Sequence, residues 1–486
     1  MENNLFDRDL LSVQKARNLA AAARQAYKTY STFSQEKVDR IIKAMADAAV
    51  NHSENLAELA VKETGYGNKE DKTAKNMFAS RNIYESIKDL KTVGVINRDY
   101  KNKIIEIAHP MGVILGITPT TNPTSTVIFK SLISAKSRNA IIFSPHPHAV
   151  LCSKEAARVM GEAAESAGAP ANLISCLDIV TLEGSKELMA SPDVSLILAT
   201  GGTNMVKAAH SYGKPAIGVG PGNTPVYVDR SANLLKAASD IISSKTFDNG
   251  VICASEQAIV VHKDIDSQFR SVLKNLKAYF LSEEEIKKVS PVLVKGGVMN
   301  ADMVGQTPKV IAQAVGINIE SSVKLLIAPL YGVGPDYPLS REILSTVLSY
   351  YVEDNWISAC HRCIELLNFG GVGHTLVIHA SDEEVVTAFA HEKPVFRILI
   401  NTPASQGAIG LTTSLTPSLT LSTGTWGGGI SSDNISASDL INIKRVAYEV
   451  NSINTTSSSD ISGNTQIKKD IVESIVRKVV ENLNLK

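Results

Sequence analysis

The sequence is poor in cysteine and has no long apolar runs. Its five cysteines in 486 residues, an odd number, do not make a disulfide framework, so a reducing cytosol is the simplest compartment. No apolar run approaches the roughly 18–20 residues that a membrane span requires. Residues 1–9 carry charges where a signal peptide needs an apolar core. We therefore expect neither a disulfide-rich secreted protein nor a membrane protein.

An excess of charge of either sign is also missing. The 49 basic and 49 acidic side chains cancel, which disfavours a broad binding surface for nucleic acid or anionic lipid. What is present is ordinary, because 44% hydrophobic and 20% charged residues are close to the averages for globular proteins. A chain of this length predicts two or three domains of roughly 100–200 residues each.

Apolar periodicity predicts an α/β protein. Residues 10–30 and 35–64 show helical spacing, and residues 93–107 suit a β-hairpin. From there to about residue 260, strand-like and helical patterns alternate, which indicates βαβ units and a parallel sheet, and a second α/β region follows from about 230 to 420. The predicted strands are residues 113–117, 140–143, 173–177, 194–199, 216–219, 225–228, 258–261 and 375–378, with connecting helices that include residues 149–166 and 203–209.

The C-terminal tail has a different composition. Residues 451–466 are rich in Ser, Thr and Asn, which is typical of a flexible linker. Residues 467–486 follow, and their apolar side chains predict one apolar face of a helix. That face would dock on the protein's own body or on a partner, and the long linker favours a partner. The side chains that recur every four residues are Ile467, Ile471, Ile475, Val479 and Leu483.

Cys253 is the candidate nucleophile. Cysteine is the best intrinsic nucleophile among the side chains, and the thioester that it forms remains open to a second nucleophile. A free cysteine is otherwise most often a small buried apolar residue. The turn-prone residues 247–250 just before it favour a position at the edge of a cleft instead.

Asn122 is the candidate oxyanion donor. It lies between Pro119 and Pro123, after a predicted strand and before a predicted helix. A thiol that attacks a carbonyl creates an oxyanion, and a side-chain amide can donate a hydrogen bond to it. Spacing alone favours the alternative of a helix-capping or turn asparagine.

Four separated motifs together resemble the aldehyde dehydrogenase superfamily, and within it the coenzyme A-acylating branch: residues 118–123, 139–147, 218–225 and 244–257. The resemblance covers about residues 10–450. It implies an α/β aldehyde dehydrogenase fold with a Rossmann-like cofactor domain, an α/β catalytic domain and a β oligomerisation flap. It also implies that Cys253 is the nucleophile, and that Asn122 and the backbone N–H of Cys253 form the oxyanion hole.

The same resemblance gives the domain organisation. It implies a homodimer or a dimer of dimers, paired through a flap in which residues 424–446 are strand-like. The expected parts are a cofactor domain at 1–226 with the flap hairpin at about 93–108, a catalytic domain at 227–420, an oligomerisation segment at 421–450, the linker at 451–466 and the amphipathic helix at 467–486.

The resemblance also implies a nicotinamide cofactor on the first domain, with NAD favoured over NADP. From the residues alone, the turn before the predicted helix at 203–209 is either an ordinary N-cap or a donor of backbone N–H groups to a pyrophosphate. Glu342, taken alone, reads as a solvated glutamate on a helix. The residues that carry over are Thr118, Pro119, Ser144, His146, Gly201, Gly202, Thr203, Gly220 and Glu342.

A missing carboxylate indicates how the acyl group leaves. Hydrolytic members of the superfamily carry a Glu-Leu-Gly-Gly motif whose glutamate activates water, and the resemblance puts Gly218 at that position. Water without a general base is a poor nucleophile, whereas a thiol is partly ionised near neutral pH. We therefore expect coenzyme A as co-substrate. The substrate would be a small aldehyde, acetaldehyde or propionaldehyde, and the reaction reversible.

Other functions remain open on the sequence. A hydrolytic aldehyde dehydrogenase, a reductase of acyl phosphates and an inactive cargo or scaffold protein are the alternatives. Helix 467–486 resembles the encapsulation peptides that bind shell or cargo proteins of bacterial microcompartments. That resemblance implies a cytoplasmic protein located inside such a compartment.

The remaining cysteines give no functional prediction. Cys360, His361 and Cys363 have metal-like spacing, but no second cluster accompanies them in the sequence, so we predict no metal site. His361 is a candidate for lining the pocket. Cys152 and Cys176 lie in helical and strand patterns and are predicted core residues.

Overall fold

The computed structural model describes residues 7–451 and 465–484. Helices open the chain, and the first begins where the Asp7 carboxylate caps the backbone N–H of Asp9 at 2.8 Å. The single helix predicted over 35–64 is wrong, because the backbone leaves helical geometry at His52 (φ −102°, ψ 3°). The helices are α1 (Arg8–Tyr30), α2 (Gln35–Asn51), α3 (Ser53–Thr64), α4 (Lys69–Met77), a π-helical turn (Phe78–Asn82) and α5 (Ile83–Ile87).

The predicted hairpin is confirmed as strands β1 (Gly94–Asp99) and β2 (Ile104–Pro110). The chain divides into two compact units, and residues of this hairpin belong to both. One contains Met1–Asn97 and Glu106–Lys444, and the other contains Arg98–Ile105 and Arg445–Lys486.

The first parallel sheet has five strands in the order β5-β4-β3-β6-β7. Strands β3 and β4 are buried along their whole length, as the apolar runs in the sequence predict. All five predicted strands in this region are confirmed. The elements are β3 (Val113–Thr118), α6 (Pro123–Lys136), β4 (Ala140–Pro145), α7 (Val150–Ser166), β5 (Ile174–Cys176), α8 (Leu182–Ala190), β6 (Val194–Thr200), α9 (Thr203–Ser211) and β7 (Ala216–Val219).

The second parallel sheet has seven strands in the order β10-β13-β14-β9-β8-β15-β16. It begins with β8 (Thr224–Val228), so the domain border predicted at 226/227 falls inside a strand. The other elements are α10 (Leu234–Thr246), β9 (Glu256–His262), α11 (Asp266–Asn275), β10 (Ala278–Phe280), α12 (Glu283–Leu293), the two-stranded β11 (Val294–Lys295) and β12 (Val298–Met299), α13 (Pro308–Ala314), β13 (Leu325–Pro329), β14 (Val347–Glu353), α14 (Trp356–Phe369), β15 (Gly373–His379), α15 (Glu383–His391), β16 (Val395–Ile400) and α16 (Ala404–Gly407).

The segment that follows is only partly a strand. The regular strand in this segment is β17 (Ile441–Ala447), which forms a three-stranded sheet in the order β1-β2-β17. The strand-like prediction is wrong for the preceding residues, because Gly424 and Gly428 adopt positive φ values of 57° and 79° around a 3₁₀ turn. Left-handed backbone of this kind interrupts a strand.

The predicted C-terminal helix is confirmed as α17 (Thr465–Asn484). Between residues 471 and 481 its apolar side chains are exposed, with Ile475 at 55% and Val479 at 51%. The predicted linker at 451–466 lies almost wholly outside the described residues. Within the described ranges, no helix combines the length and apolarity that crossing a membrane requires.

Candidate active site

Cys253 lies on a strained loop between α10 and β9. Asp248, Asn249 and Gly250 have consecutive positive φ values of 50°, 53° and 80°. Left-handed backbone costs a non-glycine residue roughly 1–2 kcal/mol, so contacts must hold this conformation. The Asn249 amide donates to the carbonyl of Gly305 at 2.9 Å. A Cβ at Gly250 would lie 2.6 Å from the carbonyl oxygen of Ser345.

A cavity of about 410 Å³ opens beside this loop. Both predicted catalytic residues line it, together with every predicted cofactor residue except Thr203, which begins α9. Residues that are far apart in the sequence therefore lie around one cavity. The predicted residues on its wall are Thr118, Pro119, Asn122, Ser144, His146, Gly201, Gly202, Gly220, Cys253 and Glu342.

Burial raises the pKa of the Cys253 thiol to about 12, and the neighbouring carboxylate of Glu342 adds to this effect. The positive charges of Arg397 and Lys75 act in the opposite direction and lower the pKa. The thiol is therefore protonated at rest, and nearby cations favour the thiolate that the chemistry needs.

Asn122 stands at the N-cap position of α6, but its side chain makes no capping hydrogen bond. The capping alternative is therefore wrong. Instead, its Oδ1 accepts a hydrogen bond from Lys75 Nζ at 2.6 Å, and its Nδ2 lies 3.2 Å from Thr121 Oγ1. Lys75 thus binds the carboxamide oxygen, and the amide group remains as a donor in the cavity that Asn122 and Cys253 both line.

The glycine-rich segment 218–222 packs against the thiol loop. A Cβ at Gly222 would lie 2.1 Å from the carbonyl oxygen of Cys253, whereas a Cβ at Gly220 would meet no atom within 4 Å. The backbone of Gly222 is therefore closely packed against the thiol loop. Gly220 leaves open space on the cavity wall.

Gly218 does not occupy a position from which a base could act. A side chain there would run into Val206, with its Cβ 2.4 Å from Cγ1, and toward His210 on α9 rather than into the cavity. The members of this segment that do line the cavity are Val219, Gly220 and Pro221. None of them is a carboxylate, so the segment still provides no general base.

Glu342 lies in a loop after a 3₁₀ turn, not on a helix. Its carboxylate accepts the backbone N–H of Gly222 at 3.0 Å. Burial raises its pKa to about 7, and this hydrogen bond and the charge of Lys245 oppose the shift. The solvated-surface interpretation is therefore wrong, because Glu342 is a cavity carboxylate anchored to the glycine-rich segment.

The cavity follows the carboxyl ends of the first sheet. Thr118 is the last residue of β3, and Ser144 is the second-last residue of β4. Gly201 and Gly202 lie between β6 and α9. Dinucleotides bind at this edge of parallel sheets, with phosphates at helix N-termini. The hydroxyls of Thr118 and Thr200 on this wall are buried without a hydrogen-bond partner among the described residues. These features fit a nicotinamide dinucleotide.

Several residues near the thiol were missed by the sequence analysis. Buried Arg397 donates to the carbonyl of His374 at 3.0 Å and to Asn434 at 2.7 Å. The imidazole of His374 packs against Gly222, and burial lowers its pKa to about 3. Lys75 lies in the charged run 69–75, which is typical of a solvated helix face, and its partner Asp248 is 173 positions away. No local signal identifies such a contact.

The other cysteines lie outside this site. Cys360 and Cys363 are buried on α14, where the Lys393 ammonium contacts the Cys360 sulfur. His361 is exposed on the same helix and is not on the cavity wall, so that prediction is wrong. Across residues 7–451 and 465–484, no group of three or more His, Cys, Asp or Glu side chains could hold a metal ion.

Two parallel α/β sheets with a cysteine at a dinucleotide-type cleft define a class of nucleotide-dependent thiol enzymes. The family model described as the aldehyde dehydrogenase family matches residues 4–314. The chain belongs to this family. Its fold is therefore the α/β aldehyde dehydrogenase fold that the sequence motifs imply.

Individual relatives agree with this assignment. The chain is 46% identical over 441 residues to a bifunctional aldehyde-alcohol dehydrogenase of Escherichia coli K12, a match that covers 90% of this chain but 50% of that protein. The chain thus spans about half the length of this curated relative.

Solved structures match over nearly their whole length. An acetylating aldehyde dehydrogenase from Geobacillus thermoglucosidasius is 51% identical with a TM-score of 0.92, and the match covers 93% of this chain and 100% of that one. The propionaldehyde dehydrogenase of Rhodopseudomonas palustris, solved with bound propionyl-CoA, is 29% identical with a TM-score of 0.81 and covers 89% and 94%.

Proposed function

We propose that this chain oxidises a short-chain aldehyde, acetaldehyde or propionaldehyde, with NAD⁺ and coenzyme A to acyl-CoA and NADH. The observation that carries the proposal is the shared cavity, in which Cys253 and Asn122 face the wall formed by the cofactor residues. The balance is RCHO + NAD⁺ + CoA-SH → RCO-S-CoA + NADH + H⁺. Each step is reversible.

In the first half of the reaction, the Cys253 thiolate adds to the aldehyde carbon and forms a thiohemiacetal. The Asn122 Nδ2 and the Cys253 backbone N–H donate to the oxygen on which negative charge develops. A nicotinamide dinucleotide held by the cofactor residues would supply the acceptor for the hydride of the thiohemiacetal carbon. The carbon–hydrogen bond breaks, the carbonyl re-forms, and Cys253 carries an acyl thioester.

In the second half, the thiolate of coenzyme A attacks the thioester, and Cys253 leaves as thiolate. The support is the segment 218–222, which leaves space open at Gly220 and supplies no carboxylate to activate water. The carboxylate that does line the cavity, Glu342, accepts the N–H of Gly222 through one oxygen. The solved relative with bound propionyl-CoA points to the same acceptor.

We assign NAD rather than NADP as the cofactor. A 2′-phosphate is usually recognised by an arginine. The residues on the cavity wall include no lysine or arginine. Kinetics with the two nucleotides decide between them, and equal kcat/KM values for both would contradict the assignment.

Steady-state turnover tests the function. Wild-type protein with propionaldehyde and NAD⁺ is expected to form NADH at least tenfold faster when coenzyme A is present, and to form propionyl-CoA in equal amount. Equal rates with and without coenzyme A, with propionate as product, would instead show a hydrolytic enzyme. Cys253→Ala removes the nucleophile and is expected to abolish turnover. A matched Cys176→Ala variant, changed outside the cavity, is expected to retain it.

We also propose that α17 docks on a shell or cargo protein of a bacterial microcompartment. Its support is the exposed apolar face of the helix, at the end of a polar stretch of sequence. The enzyme body would form a homodimer or a dimer of dimers. Its location would then be the interior of that compartment.

A further inference from the structure

A buried cluster of charged side chains lies behind Asn122. Lys72 and Lys75 on α4 are 3% and 5% exposed and both approach Asp248, which is fully buried, at 2.8 and 2.5 Å from Oδ2. The other carboxylate oxygen accepts the backbone N–H of Asn68 at 2.9 Å. The backbone N–H of Asp248 in turn donates to the Asp71 carboxylate at 2.7 Å. Every member of the cluster therefore has a polar partner, which a buried ionic network requires.

Lys75 connects this cluster to the active site. Besides Asp248, its Nζ donates to Asn122 Oδ1 at 2.6 Å and to the carbonyl of Val251 at 2.8 Å. Val251 is two residues before Cys253. One ammonium therefore contacts both the candidate oxyanion donor and the loop of the nucleophile.

The chemistry of an ammonium fixes which way the Asn122 carboxamide points. A lysine has three N–H donors and no acceptor, so only the carboxamide oxygen can face it. The Nδ2 must then lie at the opposite end of the planar carboxamide, directed away from the ammonium. One of its two N–H groups is near Thr121 Oγ1, and the other remains for the cavity.

The charge of Lys75 has the sign that the reaction needs. It lowers the pKa of the Cys253 thiol against the effect of burial. The same positive charge stabilises an oxyanion next to Asn122, since donors fixed before the reaction cost no reorganisation. Lys72 and Asp248 keep Lys75 in place.

We propose that Lys75 is a positioning residue for the oxyanion hole, because it binds the carboxamide oxygen of Asn122 and so turns the amide N–H toward the thiol. This inference rests on the proposed function. A purely structural role for Lys75, as a bond between α4 and the thiol loop, makes different predictions for the variants below.

The test compares two buried lysines. Lys136→Met is the matched control, because Lys136 is also buried, pairs with Asp39 at 2.6 Å and donates to a backbone carbonyl at 2.8 Å. These partners are Asp39 and Lys88 rather than Asn122 and the thiol loop. With propionaldehyde, NAD⁺ and coenzyme A, Lys75→Met is expected to lower kcat at least tenfold with an NAD⁺ KM within twofold of wild type. Lys136→Met is expected to keep kcat within twofold.

A double-mutant cycle identifies the route of the effect. If Lys75 acts through Asn122, Lys75→Met combined with Asn122→Ala costs clearly less than the product of the two single losses, and what remains is the effect on the thiol measured below. Multiplied losses in the double variant would overturn the proposal, as would a Lys75→Met kcat equal to that of Lys136→Met.

A second readout does not depend on turnover. The rate of Cys253 alkylation by iodoacetamide across pH reports the thiol pKa, and Lys75→Met is expected to move this profile to higher pH. An unchanged profile would count against the electrostatic part of the proposal. If wild type alkylates normally but never turns over, the proposed function fails while this comparison still stands.

Lys75→Gln is the control for a folding defect in Lys75→Met. This change leaves Lys72 and Asp248 as a one-to-one ion pair and keeps a donor near Asn122. If Lys75→Met does not fold, Lys75→Gln is measured in its place. It is expected to fold, to keep more of kcat than Asn122→Ala, and to show the same shift in alkylation. A Gln variant with wild-type kcat and wild-type alkylation would overturn the inference.

Discussion

Burial has the largest effect on the ionisation of Cys253, and one negative and two positive side chains modify it. Glu342 disfavours the thiolate, whereas Arg397 and Lys75 favour it. Because the pKa of Glu342 is itself about 7, its charge changes in the physiological range. The reactivity of the thiol should therefore follow the protonation of this carboxyl as well as its own.

Glu342→Gln removes the negative charge and keeps an oxygen for the N–H of Gly222. Below pH 7 the wild-type carboxyl is protonated, so the two proteins should be alkylated by iodoacetamide at similar rates. Above pH 7 it is ionised and opposes the thiolate, so the variant should react severalfold faster. The KM for NAD⁺ should rise in the same variant.

Alkylation rates from pH 5.5 to 9 check this prediction. Glu353→Gln is the control, since Glu353 pairs with Arg362 at 2.9 Å and is not on the cavity wall. A Glu342→Gln profile parallel to wild type at every pH would show that the carboxyl does not influence the thiol.

At this scale, sequence motifs predicted which residues share the cavity but not what surrounds them. Cys253, Asn122 and Glu342 were found by resemblance, and all three line one cavity. Lys75, Arg397 and His374 were not found, because burial and partners that are distant in sequence give them their properties. The location of Glu342 in a loop was also missed, since the sequence around it was interpreted as helical.

Among the elements, the glycine-rich segment after β7 controls how closely two loops approach. Gly222→Ala would place a Cβ against the Cys253 carbonyl, a backbone atom that cannot move without moving the thiol. Overpacking of this kind typically costs about 1–3 kcal/mol. We expect a loss of that size in the free energy of unfolding and at least a tenfold loss of kcat.

Gly220→Ala is the matched control, because no atom lies within 4 Å of its Cβ. Its unfolding free energy should stay within about 0.5 kcal/mol of wild type, the usual range for a substitution that meets no packed atoms. Urea unfolding of the two variants checks both statements. Equal stabilities for Gly222→Ala and Gly220→Ala would mean that the loops can separate freely.

The elements themselves were predicted best where strands are buried on both faces. Strand β7 has the predicted limits, and β3 extends the prediction by one residue. Strand β10 was missed because its three residues are too short for a periodic pattern, and the apolar run of β13 fits a helix segment equally well. The break at His52 was missed because α2 and α3 continue the same apolar spacing on both sides of it.

For the molecule as a whole, catalysis and targeting should be separable. The cavity is lined by residues between 115 and 344, whereas α17 begins at Thr465. A chain that ends at Val450 should keep kcat within twofold and lose co-assembly with microcompartment shell protein. Cys253→Ala in the full chain should lose turnover and keep co-assembly with shell protein.

Ile475→Glu with Val479→Glu in the full chain tests the helix face itself. Both side chains are about half exposed, so the change should leave kcat intact and remove co-assembly. Co-sedimentation with shell protein is the measurement. If the truncated chain still co-assembles, the docking surface lies elsewhere on the body.

The three contacts of Lys75 also have a protective consequence. An amine beside an enzyme-bound thioester is a natural acceptor for the acyl group, and capture would inactivate the protein permanently as an amide. The Nζ of Lys75 donates to Asn122, Asp248 and Val251, so in its ammonium form each of the three N–H bonds is used and the nitrogen has no lone pair. Burial lowers the pKa of Lys75 to about 8, so we expect the arrangement that orients the amide also to slow acylation of Lys75 at neutral pH.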